Sequence, residues 1–396
     1  MKVITAKTDC KPSETGYDES RLDKLNERLA DMIDRKVIHG AAYCIAHKGR
    51  VIAHAALGSG SALGGDALMQ PDTVFGLASI TKTFTATAIM QLVEDGIVSL
   101  TDPVGKYLPQ FDKKPFSDIT LLHMLTHTSG LYPDAGCFEE EYPKHGWVHI
   151  EEALDRWNGE GEFDWLTPAI SNGLRRPVGS EWMYNSLAFS ILGEVITKAS
   201  GVFAHDFITR RIIKPLGLND TSFDLTPQAA KRFFVYDDDT KKYIDTLISG
   251  GDPDSGSKWS RVKIPQTGGG LVSTVYDLAR FGSAFALGGR IEGKRLLGRK
   301  SVEKMSRVQV SGIPDRCWGA KEDNRLYGIG FDIRRNANFN YSDNTIMHEG
   351  AGASSIDIDL DEQLAAAWFV PFGEGAGGWS AEPLYNVQNI IWSGII

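Results

Sequence analysis

Cysteine is scarce in this sequence: four residues in 396, at positions 10, 44, 137 and 317, with no CxxC pair. That spacing fits reduced, mostly structural thiols better than a disulfide framework. Positive charge is in deficit, 42 Lys and Arg against 51 Asp and Glu, for a net charge of −9. A nucleic-acid partner is set aside on that balance, because phosphates are neutralised by the opposite excess. Apolar runs are short, none approaching the 18 or so residues a membrane span needs. The N-terminal apolar stretch is three or four residues long before Asp9, too short for the core of a signal peptide, so the expected compartment is the cytoplasm. A Walker A loop is missing, and no serine sits in a GxSxG elbow, which weighs against an α/β-hydrolase.

Some partial motifs lack their context. Gly373-Glu-Gly-Ala-Gly-Gly378 has GxGxxG spacing, but the chain ends 18 residues later. No second strand with a ribose-binding acid fits there, so the run reads as a connecting loop. The pairs His123/His127 and His145/His149 are spaced as HxxxH, yet Met124 and Gly146 stand where a zinc peptidase needs Glu. They read as structural or surface histidines, and no metal is expected.

What is present is ordinary globular material, 42% hydrophobic and 23% charged. Leu22, Leu25, Leu29, Met32 and Ile33 recur at helical spacing across 18–36. Apolar runs at 41–46 and 51–57, split by His47-Lys48-Gly49-Arg50, predict a β-hairpin. A helix is expected from Ser79 to about 95, with Phe84, Ala88, Leu92 and Val93 as its core face. Candidate helices follow at 118–125, 150–158, 186–200 and 203–214, with a linker-like segment at 249–258. Strand-like texture returns at 327–334, 344–348, 354–359 and 364–370, before a last helix at about 380–392. One sheet built from residues 1–100 and 265–396, beside an inserted helical domain at 101–264, accounts for this order. A cleft between such parts is the default ligand site.

Three SxxK motifs occur, Ser79/Lys82, Ser255/Lys258 and Ser301/Lys304. Ser255 lies in a polar loop, and Ser301 reads as a helix N-cap. Ser79 follows six mostly apolar residues and opens a long apolar helix. A serine there feels the positive helix end, and Lys82 shares its face. A desolvated lysine can act as a base or stabilise a phenolate. Equally, an N-cap serine beside a solvated lysine satisfies the same pattern.

TVFGLASITKTFTATAIMQLVEDGIVSLTDPVGKYLP resembles the first motif of the serine β-lactamase and penicillin-binding-protein superfamily, in its class C-related branch. Further matches follow in order: ITLLHMLTHTSGL, PVGSEWMYNSLAFSILGEVI, KPLGLNDTSF, GGGLVSTVYDLARFG, YGIGFDI and MHEGAGAS. The resemblance spans about residues 20–370. It implies an α+β, β-lactamase/DD-peptidase-like fold, an antiparallel sheet flanked by helices with an inserted helical domain. It also implies Ser79 as acylated nucleophile, Lys82 as its base and Tyr184 as proton relay to the leaving group. Read alone, Tyr184 is a core aromatic beside Trp182. His348-Glu349-Gly350 stands where lactamases carry Lys-Thr-Gly, with Gly350 admitting substrate and the Ala351 and Ser79 N–H groups forming an oxyanion hole.

Two departures from the pattern bear on substrate. Asn185 falls one position early, leaving Ser186 in the amide-binding place of motif two. His348 replaces a permanent cation with a group of ordinary pKa about 6.5, mostly neutral at pH 7. Such an imidazole could bond an ester or tetrahedral oxygen, and would attract a carboxylate only below about pH 6. Both changes favour a small-molecule ester over a carboxylate-bearing amide or β-lactam. A carboxylesterase with weak β-lactamase activity is the expected function, with no metal or organic cofactor. Acyl transfer, D-amino-acid peptidase or amidase activity, and a non-catalytic penicillin-binding-like module are the alternatives. Seven aromatics between 131 and 175 (Tyr132, Phe138, Tyr142, Trp147, Trp157, Phe163 and Trp165) form an apolar substrate wall or plain core.

Overall fold

A computed structural model describes residues 1–138, 144–335, 338–373 and 382–396. Tyr142, and the GxGxxG run beyond Gly373, lie outside them. The strands that concern us are β1 (Val3–Thr5), β2 (Gly40–His47), β3 (Arg50–Gly58), β4 (Thr345–Gly350), β5 (Ser354–Asp359) and β6 (Leu364–Phe369). The helices are α1 (Ser20–Asp34), α2 (Thr81–Glu94), α3 (Ser186–Ser200), α4 (Val275–Ala286) and α5 (Glu382–Trp392).

The expected hairpin forms as β2 and β3. Lys48 and Gly49 turn its corner at φ 53° and 75°, the left-handed pair that a type I′ turn requires. Strand β6 then pairs antiparallel with β2, giving one six-stranded antiparallel sheet of order β1-β3-β2-β6-β5-β4. Both chain ends therefore share a sheet. Side chains alternate across it: Ala41, Tyr43 and Ile45 face one way, Ala42, Cys44 and Ala46 the other. The first face packs on Leu25, Leu29 and Met32 of α1 and on Val387, Ile391 and Trp392 of α5. Buried carboxylates anchor that layer, since Trp368 Nε1 and Gln388 donate to Asp357 at 2.9 Å each and Trp392 Nε1 donates to Asp359 at 2.8 Å.

The other face is covered by α4, with α2 beyond it. Phe84 of α2 stacks on Phe281 of α4 at 4.0 Å, and α3 packs on the far side of α2. Helix α2 is accordingly buried on all sides from Thr81 to Leu92, not along one stripe, while Val93 is only half-buried. Within 101–264 lie Leu121–Leu125, Gly146–Arg156, α3 and a helix at Ala204–Leu216. Asp238–Ile248, capped by Asp237, is a helix that periodicity did not announce. Among the described residues no single helix is long and apolar enough to cross a membrane.

Two expectations are corrected. Residues 327–334 form no strand of the sheet, only isolated bridges. Gly330 is the reason: its φ is 70°, and a Cβ there would lie 2.3 Å from Ala86 Cβ, so the run turns to pack on α2. Ser301 is not an N-cap. Its helix, Arg299–Ser306, begins two residues earlier after Gly298, which lets both Arg299 and Lys300 pair with Glu303.

Candidate active site

Ser79 sits in a single 3₁₀ turn, Ala78–Ile80, that runs directly into α2. The preceding Ala78 is held at φ 43°, a left-handed conformation that costs a Cβ-bearing residue on the order of 1 kcal/mol. The turn is clamped from both sides. Leu77 N–H donates to Leu271 O at 2.7 Å, and Gly350 at the end of β4 packs on the Leu77 carbonyl. A Cβ on Gly350 would lie 2.3 Å from that oxygen, so only glycine admits this approach. Ala351 follows at the exposed start of the β4–β5 turn.

One helical turn on, Lys82 is completely buried. Its Nζ donates to Ser79 Oγ at 3.0 Å and to the Gly268 carbonyl at 2.7 Å, and lies 4.9 Å from the Tyr184 ring centroid. Burial lowers its pKa from 10.5 to about 8, with Asp134 opposing the fall. Gly268 is held in place because neighbouring Thr267 O accepts from Thr85 of α2 at 2.7 Å.

Tyr184 lies just before α3, and the centroid of its ring is 4.9 Å from Lys82 Nζ, the atom that donates to Ser79 Oγ. Burial holds the phenol well above its ordinary pKa, so it is protonated at neutral pH. Its ring stacks on His127 at 4.4 Å. His127 Nδ1 in turn accepts from Asn185 N–H at 3.0 Å, which fixes the neutral tautomer. Tyr184, far along the chain from Ser79 and Lys82, thus meets that pair at one point.

The remaining expected site residues divide. His348 on β4 lies 6.5 Å from the Tyr184 ring, centroid to centroid. Burial, then the nearby Lys82, lower its pKa to about 4. Its Nδ1–H donates to the Glu349 carbonyl at 2.7 Å, leaving Nε2 as an acceptor. The expected hydrogen bond from this imidazole to a substrate oxygen is therefore corrected: the free nitrogen carries no proton to give. Ser186 is set apart. Its Oγ donates to Asp134 at 2.5 Å and its N–H to the same carboxylate at 2.6 Å, so its hydroxyl already has a protein acceptor. Asn185 caps α3 through Ala188 N–H and donates to Tyr132 O at 2.6 Å.

An ion network stiffens the wall behind His348. Arg334 grips Glu349 with both Nη atoms, at 3.1 and 2.7 Å, and Asp332 through Nε at 3.1 Å. Arg325 pairs with Asp332 at 2.8 Å and lies 4.4 Å over the Trp182 ring. The HxxxH histidines are spoken for locally, His123 in a cap with Thr120, His145 capping Trp147 and His149 on Asn172. Sequence reasoning assigned no role to Asp134, Gly268 or the His127 stack. Gly268 and His127 fall inside quoted motifs, whereas Asp134 carries no local signal at all.

Residues 25–376 match the family described as Beta-lactamase. The chain belongs to that family. With it, the chain falls in the serine hydrolase superfamily. Penicillin-binding protein 4* of Bacillus subtilis (strain 168) is 31% identical over 182 residues, 44% of this chain and 38% of that protein. Esterase EstB of Burkholderia gladioli is 30% identical over 208 residues, 52% of this chain and 51% of the relative. This chain thus spans about half or less of the length of these two relatives. In fold it is similar to a family VIII carboxylesterase, with a TM-score of 0.72 at 17% identity over 99% of this chain and 100% of that one.

Proposed function

We propose that this member of the Beta-lactamase family hydrolyses neutral carboxylic esters through an acyl-enzyme on Ser79. The observation that carries the reading is the fully buried Lys82 amine 3.0 Å from Ser79 Oγ. On losing its proton this amine turns from donor to acceptor and takes the Ser79 proton as the oxygen attacks a carbonyl carbon. The Ser79 and Ala351 N–H groups hold the oxyanion, a role supported by the packing of Gly350 on Leu77. Tyr184, protonated at neutral pH, passes its proton to the leaving oxygen and takes the Lys82 proton in return, which leaves the amine neutral. Water then attacks the acyl-enzyme with Lys82 again as base.

The preference for neutral esters rests on the third motif. His348 is uncharged at neutral pH, and Arg334 behind it is taken up by Glu349 and Asp332, so neither offers a substrate carboxylate an unpaired cation. The similarity to Esterase EstB and to a family VIII carboxylesterase points the same way. Intact-mass analysis after mixing with an ester, an amide and a β-lactam tests the reading. An acyl adduct on Ser79 that forms fastest from the ester supports it. Faster acylation by the amide moves the chain to the peptidase or amidase class, and failure of a fluorophosphonate probe to label it leaves a binding module.

A further inference from the structure

Trp318 is anomalous twice over. It is a tryptophan with 59% of its surface exposed, and its backbone holds φ 53°, a left-handed conformation rare for bulky residues. Such strain persists only where surrounding contacts impose it, and here they do. Trp318 N–H donates to Cys137 O at 2.7 Å, and Trp182 N–H donates to Pro314 O at 3.0 Å. Cys317 N–H donates to Asp315 Oδ1 at 2.9 Å, and Cys317 Sγ accepts from Tyr184 N–H at 3.4 Å. The loop is thereby sewn to the backbone of Tyr184 itself. The result is an exposed indole with its centroid 5.3 Å from the Tyr184 ring, tilted by 56°. The Tyr184 ring centroid lies 4.9 Å from Lys82 Nζ, which donates to Ser79 Oγ at 3.0 Å, so Trp318 stands one ring away from the Ser79–Lys82 pair.

We propose that Trp318 is the aromatic wall of the leaving-group subsite and selects esters of planar aromatic alcohols. The proposal rests on the acyl-enzyme reading above. There, the Ser79 Oγ–acyl bond forms as the bond from the acyl carbon to the alkoxy oxygen breaks. The Ser79 proton, relayed through Lys82 and Tyr184, ends on that oxygen, and the free alcohol departs. A group beside Tyr184 on the open side therefore borders the alcohol, not the acyl chain. An exposed indole offers a ring face to a planar alcohol at little conformational cost, and an aromatic pair adds selectivity beyond its buried area.

Benzyl acetate and n-hexyl acetate give the same acetyl-enzyme and differ only in the alcohol. Replacing Trp318 by Ala is expected to lower kcat/KM for benzyl acetate about three- to tenfold relative to n-hexyl acetate. Trp318→Phe retains most of the preference, and deacylation, which sees only the acetyl group, is unchanged. A series of ethyl esters with lengthening acyl chains keeps its order. A benzyl-to-hexyl ratio unmoved by Trp318→Ala, or a change confined to the acyl series, overturns the proposal. Binding of the two acetates to Ser79→Ala with and without Trp318, measured by calorimetry, separates this inference from the one beneath it. If wild type forms no acyl-enzyme, the hydrolase reading fails, while loss of selective benzyl binding with Trp318 still decides the subsite.

Discussion

Lys82 ties stability and activity to one titration, which makes it the sharpest test of the site. Its amine is fully buried and its pKa falls from 10.5 to about 8, chiefly through desolvation. With a pKa near 8, about a tenth of the molecules carry the neutral base at pH 7, whereas an unburied lysine would supply well under a thousandth. Acylation by a neutral ester is therefore expected to rise through pH 7–8 and level off above about 9. The same displacement acts on folding. Between pH 8 and 10.5 the unfolded chain holds the proton that the folded chain has released, so stability increases with pH across that window. Below pH 8 both states are protonated and the penalty is fully present. A fall from 10.5 to about 8 corresponds to about 3 kcal/mol. Denaturation midpoints of wild type and Lys82→Met, compared from pH 7 to 10.5, are expected to change in wild type's favour by up to that amount. Asp134→Asn removes the carboxylate that props the amine pKa up, and moves the rate profile to lower pH. A flat rate profile from pH 7 to 9, together with a pH-independent stability difference, would refute both the buried amine and its role as base.

Three further outcomes follow from the same geometry. Ser79→Ala is expected to lose about 10⁴-fold or more in ester turnover while folding normally; a variant retaining a tenth of the activity removes Ser79 from the mechanism. Tyr184→Phe keeps the His127 stack and the loop contacts but loses the hydroxyl, so an unchanged Tm with a rate lower by about 10²–10⁴ is expected; a collapsed Tm with intact activity per folded molecule returns Tyr184 to the core. With its pKa about 4, His348 gains charge only as pH falls toward 4, so wild-type affinity for an anionic β-lactam should stay level between about pH 5.5 and 7, below the range in which Lys82 loses its proton. His348→Lys supplies a cation in that range and is expected to raise kcat/KM for the anion over a neutral ester about tenfold. An unchanged ratio places His348 away from the substrate.

Sequence alone determined the elements whose signals are local. The Lys48-Gly49 turn, the amphipathic α1 and the apolar helix after Ser79 all follow from spacing and turn chemistry, which act over a few residues. The ordered motifs, from TVFGLASITK to MHEGAGAS, also separated Ser79 from two other SxxK serines. Residues 327–334 misled because alternation says strand until Gly330 must meet Ala86, a contact made across the fold. Charge states needed tertiary structure for the same reason. Lysine carries a pKa near 10.5 and histidine near 6.5 until burial is known, and burial is a property of the whole packed molecule. Which way a side chain spends its hydrogen bonds was equally hidden. Ser186 turns to Asp134, and His348 gives its proton to its neighbour's carbonyl, only because α3 and β4 bring those acceptors within reach. Trp318 carries no motif at all, and its place beside Tyr184 exists because two loops 180 positions apart, at 137 and 317, close on the same backbone.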